Sequence, residues 1–192
     1  MTSLPSSPRE YSSVAKLLHW TMALIWLSAW IIGYVGVTWR EELNQNHGWT
    51  LAHKALASTI LFLVVMRILW RMTHRVPSLP ATMSPFMQKM AHFAHYLLYA
   101  VALIGLPLSG WVWSSVAGYP IMVLWLFQLP PLTSPHPEYY DMMKQIHVTT
   151  AYAMGIMVSG HILIALKHAF IDKDSVMKSM LLGKKHRLVK ED

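Results

Sequence analysis

Cysteine is absent from the 192-residue chain. That excludes disulfides, iron–sulfur clusters, thiolate zinc sites and covalent attachment of c-type haem, each of which needs the thiol. Charge is scarce too: Asp, Glu, Lys and Arg make up only 13% of the residues, roughly half the share usual in a soluble domain. No formal charge at all occurs between Leu17 and Trp39. With 54% hydrophobic residues and 9 Trp, such a surface belongs in a membrane rather than in water. Acidic residues number 9 against 11 His, so imidazole is the obvious soft ligand available for metal chemistry.

The apolar runs predict an all-α fold: a transmembrane four-helix bundle, with both termini cytoplasmic. The chain reads as one membrane domain over residues 1–192, with spans at about 16–39, 51–70, 89–113 and 144–168 and a basic tail at 169–192. Each run reaches the length of about 20 residues that a hydrocarbon core requires. The first is too long for a signal-peptide core and has no small-residue cleavage site after it. Lys54 and Arg67 lie near the ends of the second span, where long side chains can snorkel. Pro107 is expected to kink the third.

Lys and Arg set the orientation. Thirteen of the 16 fall in the N-terminal segment, the second connection and the C-terminal tail, leaving Arg40, Lys54 and Lys144 on the other side. The positive-inside rule then places both termini in the cytoplasm. The net charge of +7 is explained by these clusters at span ends and needs no nucleic acid. The tail can instead touch anionic lipid headgroups. Trp39, Trp49, Trp70, Trp111 and Trp113 fall near span ends, as an aromatic belt would. The outer connection after span three holds Pro120, Pro130, Pro131, Pro135 and Pro137, and its apolar stretch from Ile121 to Phe127 is expected to lie in the interface.

Ionisable residues inside a membrane span are functional candidates by default. His19 opens span one at its inner end and His53 opens span two at its outer end. On span four, His147 is outer and His161 follows fourteen residues later. Fourteen residues is about 21 Å of helix and nearly four turns, so the last two share a face at opposite depths. Depth pairs His19 with His161 and His53 with His147. Two facing imidazoles suit six-coordinate haem iron, and without cysteine the haem must be non-covalent b-type. Gly33, Gly36, Gly155 and Gly160 offer room for macrocycles, or equally for close helix packing. Each His on its own has a structural reading as a packing or hydrogen-bonding residue; the matched depths favour ligation. His47, His136 and His186 read as solvated, His74 as interfacial, and the 14 Met residues as packing.

Arg67 and Arg71 stand one turn apart at the inner end of span two. They suit a clamp on haem propionates, and equally an anchor that fixes the span end in the cytoplasm. His92 and His95 sit one turn apart at the inner end of span three, with His168 at the inner end of span four. Imidazoles there can donate hydrogen bonds to a bound group and pass protons from cytoplasmic water; interfacial hydrogen bonding is the plainer reading.

These residues resemble the prokaryotic cytochrome b561 family, related to the cytochrome b subunits of hydrogenases and formate dehydrogenases. The resemblance runs over about residues 9–180. It rests on Leu18-His19-Trp20, Ala52-His53-Lys54, the run from Met66 to Arg71, His92 with His95, His147 with His161, and Lys167-His168 followed by Phe170 to Asp174. It implies two bis-His b haems, His19 with His161 and His53 with His147, and electron exchange with ubiquinone or another quinone. It places His95 and His168, and less firmly His92, at the quinone. It also implies a periplasmic or membrane redox partner. Some members oxidise superoxide at the outer face, an alternative that the outer charges do not favour: Arg40, Lys54 and Lys144 meet Glu41, Glu42, Glu138 and Asp141. A haem-free metal-binding or transport protein is the remote alternative, disfavoured by the lack of acidic residues in span one.

Overall fold

The computed structural model describes residues 10–80 and 83–182. Four helices are long and apolar enough to cross a membrane: Ser13–Thr38, Gly48–Thr73, Pro85–Val116 and Pro137–Asp172. All four helices begin before their expected first residues; the first ends at Thr38, one residue short of its expected end, and the other three run past theirs. Span one is a single helix, α1 (Ser13–Thr38), begun where the Ser12 side chain accepts the Ala15 amide at 3.3 Å. A short helix α2 (Arg40–Leu43) turns the chain. Span two is then built from α3 (Gly48–Ala57) and α4 (Thr59–Thr73). The break between them carries two hydroxyls that bond back into the preceding turn, Ser58 to Ala55 O at 3.2 Å and Thr59 to Leu56 O at 2.6 Å. Such back-bonding loosens and bends helices.

Span three starts at Ser84, whose side chain caps α5 (Pro85–Leu97), with Pro85 at the first position, where its missing N–H costs nothing. The helix then widens into i→i+5 turns over Leu98–Gly105 before α6 (Leu106–Val116). The Leu106 amide reaches back to Val101 O. Pro107 falls in the first turn of α6. In place of the kink expected at Pro107, the structure has a widened segment just upstream that leaves the proline in the first turn of α6 and under-winds the helix.

After span three the chain forms an antiparallel hairpin, β1 (Ile121–Val123) with β2 (Phe127–Leu129), pairing Met122 with Gln128. The apolar stretch expected to lie flat in the interface is thus folded on itself. Ile121, Val123 and Leu129 are buried against Trp111. Span four follows a short 3₁₀ turn as α7 (Tyr140–Lys167), with wide turns at His168–Asp172. The start of the expected tail is not free: α8 (Ser175–Met180) is capped by Asp174 and tied to span one by Trp20 Nε1 to Met180 O at 2.9 Å and by the Tyr11 amide to Ser179 O at 3.3 Å. The tail residues Lys184, Lys185, His186, Arg187 and Lys190, and Arg9, lie outside the described residues.

The centre of the bundle is apolar. Met22, Trp26, Ile60, Val64, Ala102 and Leu106 are buried together, drawn from spans one, two and three. Two indoles stitch the helices: Trp26 Nε1 donates to Ala102 O at 3.0 Å and Trp30 Nε1 to Ala151 O at 2.9 Å. No residue of α7 is buried by protein. Among the described residues, span four packs against span three along α6 and against span one in mid-helix, where Trp30 meets Ala151 and Gly155.

Candidate functional site

The histidines gather into two layers. At one end of the bundle the rings of His19 and His161 are 6.4 Å apart between centroids, and at the other those of His53 and His147 are 6.1 Å apart. These are the two pairs that depth along the helices selects. His19 and His161 come from spans one and four, which run in opposite directions, and His53 and His147 from spans two and four, which run the same way, so in each pair two residues distant in sequence meet at one level.

The fourteen-residue interval recurs on all four spans: His19 and Gly33, His53 and Arg67, His95 and Ser109, His147 and His161. Each span thereby contributes once to each layer. In the His53–His147 layer, the helix face at Gly33 abuts His53, for a Cβ there would stand 2.7 Å from His53 Nδ1. That same Nδ1 donates to the Ala29 carbonyl at 2.7 Å. His147 is held similarly. A Cβ at Gly110 would stand 2.9 Å from its Cε1, and its Nδ1 lies 2.9 Å from Ser109 Oγ. The Ser109 hydroxyl donates to Leu106 O at 2.7 Å, so towards His147 it accepts. Both imidazoles of this pair therefore carry their proton on Nδ1 and present a bare Nε2.

Trp113 stands beside this pair, its ring 5.8 Å from that of His147. Its indole nitrogen is a buried side-chain donor without a partner among the described residues. The aromatic belt expected from the sequence loses Trp113 to the site. Lys54, next to His53, donates to Ser114 Oγ at 2.8 Å and lies over the Tyr119 ring at 5.2 Å.

In the His19–His161 layer a third imidazole joins. The His95 ring is 5.6 Å from that of His161, and its Nδ1 donates to Ala91 O at 2.7 Å. Arg67 hydrogen-bonds Tyr99 Oη and donates to Ala15 O at 3.2 Å, one turn from His19. Arg67 and Arg71 both lie over the Tyr99 ring, at 5.6 and 5.7 Å. Two guanidinium groups are thus fanned across one phenol at the inner end. His92 is exposed and makes no ring contact with the His19–His161 pair among the described residues. His168 makes none either. It is bracketed by carboxylates, its Nδ1 donating to Asp174 at 2.7 Å and lying 3.2 Å from Asp172, while Lys167 pairs with Asp172 at 2.6 Å.

Sequence reasoning did not single out Ser109, Gly110 or the Ala29 carbonyl. The signal for the first two was their spacing from His95, hidden by the widened turns between them. Of the four glycines offered as macrocycle room, Gly33 backs a ligand candidate, while Gly36 packs on Asn44 and Trp49, and Gly155 on Trp30. Gly160 has nothing within 4 Å.

The residues fit a metal held between rings. Two metal–nitrogen bonds of about 2 Å, with half an imidazole at each end, span about 6 Å between centroids, and both pairs stand at that separation. Metal-bound His characteristically donates its other N–H to a carbonyl or hydroxyl, as His53 and His147 do.

A family model described as prokaryotic cytochrome b561 matches residues 10–183. The chain is 28% identical over 183 residues to cytochrome b561 homolog 2 of Escherichia coli, covering 93% of this chain and 95% of that one. It is 27% identical over 180 residues to cytochrome b561 homolog 1 of the same species, covering 92% and 99%. To the probable superoxide oxidase CybB of Yersinia pestis it is 23% identical over 181 residues, covering 92% and 98%. Four spans, paired intramembrane histidines and a family match along nearly the whole chain lead to one assignment: this is a membrane electron-transfer protein that belongs to the prokaryotic cytochrome b561 family.

Proposed function

We propose that the protein holds two b-type haems, one between His19 and His161 and one between His53 and His147, and passes electrons across the membrane to or from quinone. The observation that carries this reading is the matched ring separation of the two pairs, 6.4 and 6.1 Å, at opposite ends of the bundle. When bound, the haem irons supply one-electron chemistry; the chain supplies position and tuning. His53 and His147 are oriented through Nδ1 by Ala29 O and Ser109 Oγ, which leaves Nε2 for the iron. Trp113 Nε1 offers the outer haem a donor, and Arg67 and Arg71 suit the inner propionates through forked guanidinium bonds. Bis-imidazole ligation leaves no open position, so neither iron is built to bind oxygen.

The thirteen basic residues gathered at one end of the bundle support an orientation with both termini in the cytoplasm. Quinone then meets the inner layer, where His95 and His168 serve as hydrogen-bond donors and as carriers of protons from cytoplasmic water. Asp172 and Asp174 orient the His168 ring. Purified protein should be red, with a reduced α band of b-type haem and a pyridine haemochromogen ratio of about two haems per chain. A folded, colourless protein would overturn the reading.

The name of the Yersinia relative supports a second reading, superoxide oxidation at the outer face coupled to ubiquinone reduction. Lys54 stands next to His53 and supplies a cation there, although Glu41, Glu42, Glu138 and Asp141 surround the same end. Pulse radiolysis separates the readings: haem reduction by superoxide no faster than in a control bis-His cytochrome removes this one.

A further inference from the structure

The hairpin between spans three and four has no role in the site, and its chemistry is wrong for a loop in water. The turn of the hairpin is closed by the Leu126 amide on Val123 O at 2.8 Å, with Leu124 and Trp125 at φ 46° and 60°. Hairpin turns in water place Asn, Gly or Asp at such left-handed positions, because bulky residues are strained there. Here the tip reads Leu124-Trp125-Leu126-Phe127, and all four residues are exposed, Leu126 at 78% and Trp125 at 60%.

The position of this tip along span two is the second observation. The Leu124 amide donates to Ala55 O at 3.3 Å, in the turn that precedes the α3–α4 break. The Phe127 ring packs edge-on against Phe62 at 6.0 Å. Phe62 lies fourteen residues into a 26-residue span, about 21 Å along its axis. A hairpin that reaches this level alongside a membrane-crossing helix lies within the hydrocarbon.

Irregular backbone at that depth must find partners for its amides and carbonyls. The hairpin meets part of this demand in three ways. Its strands pair with each other, its Leu124 amide is taken by span two, and Pro120, Pro130 and Pro131 at its ends have no N–H to satisfy. Trp111 Nε1 ties the returning strand to span three through Pro130 O at 3.0 Å.

We propose that this hairpin is inserted in the bilayer leaflet at the His53 end of the bundle, with lipid acyl chains covering Leu124, Trp125, Leu126 and Phe127. The partner of this surface is lipid hydrocarbon, and the hairpin is a wedge seated on span two at Ala55, two residues beyond His53 and just before the break.

The cysteine-free chain makes the test direct. Leu126→Cys is introduced into the full chain, reconstituted in phosphatidylcholine–phosphatidylglycerol nanodiscs, and alkylated with a charged maleimide. Glu138→Cys reports a watery position and Ile156→Cys, at a residue 76% exposed midway along span four, a lipid-facing one. Leu126→Cys should react at least about ten-fold more slowly than Glu138→Cys, like Ile156→Cys, because the thiolate forms poorly away from water. Full reaction in sodium dodecyl sulfate shows that the thiol is intact. Any smaller protection in the bilayer overturns the proposal. Circular dichroism verifies the fold of each variant, and Trp125→Cys replaces Leu126→Cys should the latter fail to fold.

Discussion

Gly33 of span one and His53 of span two are packed so closely that a single methyl group cannot stand between them, the distance from an added Cβ to His53 Nδ1 being 2.7 Å. The contact works together with the hydrogen bond from that nitrogen to Ala29 O, one turn earlier on the same helix. Span one thus both seats the imidazole and aims it. Span three treats His147 in the same manner through Gly110 and Ser109. Each outer ligand candidate is therefore positioned by a helix that contributes no outer ligand itself.

The first prediction follows from that packing. Gly33→Ala and Gly110→Ala should each remove the outer haem and roughly halve the haem-to-protein ratio, since close-packed interiors do not yield to an overlap of this size. Gly160→Ala, where nothing lies within 4 Å, should keep the full ratio. Pyridine haemochromogen assays on the three purified variants check this.

Ligand loss should follow depth. His19→Ala and His161→Ala should each abolish the same spectral and potentiometric component, and His53→Ala and His147→Ala the other one. The ring pairs at 6.4 and 6.1 Å motivate the assignment. Loss of one common component from His19→Ala and His53→Ala would contradict it.

Ser109→Ala should leave haem content unchanged while raising the potential of the outer haem. The Ser109 oxygen accepts from His147 Nδ1, which makes the imidazole a better donor to oxidised iron. Removing a hydrogen bond of about 0.5–1.4 kcal/mol corresponds to roughly 20–60 mV for one electron. A redox titration that finds the outer potential unmoved or lowered rejects this role for the hydroxyl.

His95→Phe and His168→Phe, singly and together, should retain both haems and slow electron transfer to a soluble quinone analogue. Asp174→Asn should slow it in the same direction, because Asp174 accepts from His168 Nδ1 at 2.7 Å and sets that ring. Stopped-flow reoxidation of reduced protein by the analogue measures all of these. Unchanged rates in the double variant exclude both imidazoles from the quinone site. His92→Phe, with no ring contact to the inner pair, should have the smallest effect.

Much of this architecture is legible without coordinates, for a reason specific to membranes. Within hydrocarbon a backbone must satisfy its own hydrogen bonds, so a charge-free run such as Leu17 to Trp39 has one available form, the helix. Helical periodicity then turns the fourteen-residue interval between His147 and His161 into two depths on one face. Alternation of direction between spans does the rest: His19 and His53, both near the start of their helices, must lie at opposite ends.

What only the tertiary structure decided are the contacts that depend on how helices rotate and where their regular winding fails. Ser109 and Gly110 reach His147 because i→i+5 turns at Leu98–Gly105 under-wind span three, and no local residue pattern announces such turns. Gly33 meets His53, whereas Gly160 meets nothing within 4 Å, because rotation about each helix axis is set by the packing of all four together. The hairpin carries none of the Asn or Gly that mark a turn in water. Its shape comes from the Ala55 carbonyl and Phe62 of a helix more than fifty residues earlier in the chain. Sequence by itself determined which residues share a depth, since that follows from rise per residue along a helix the bilayer enforces. Which of them touch is a property of packing between helices, and that exists only once the chain has folded.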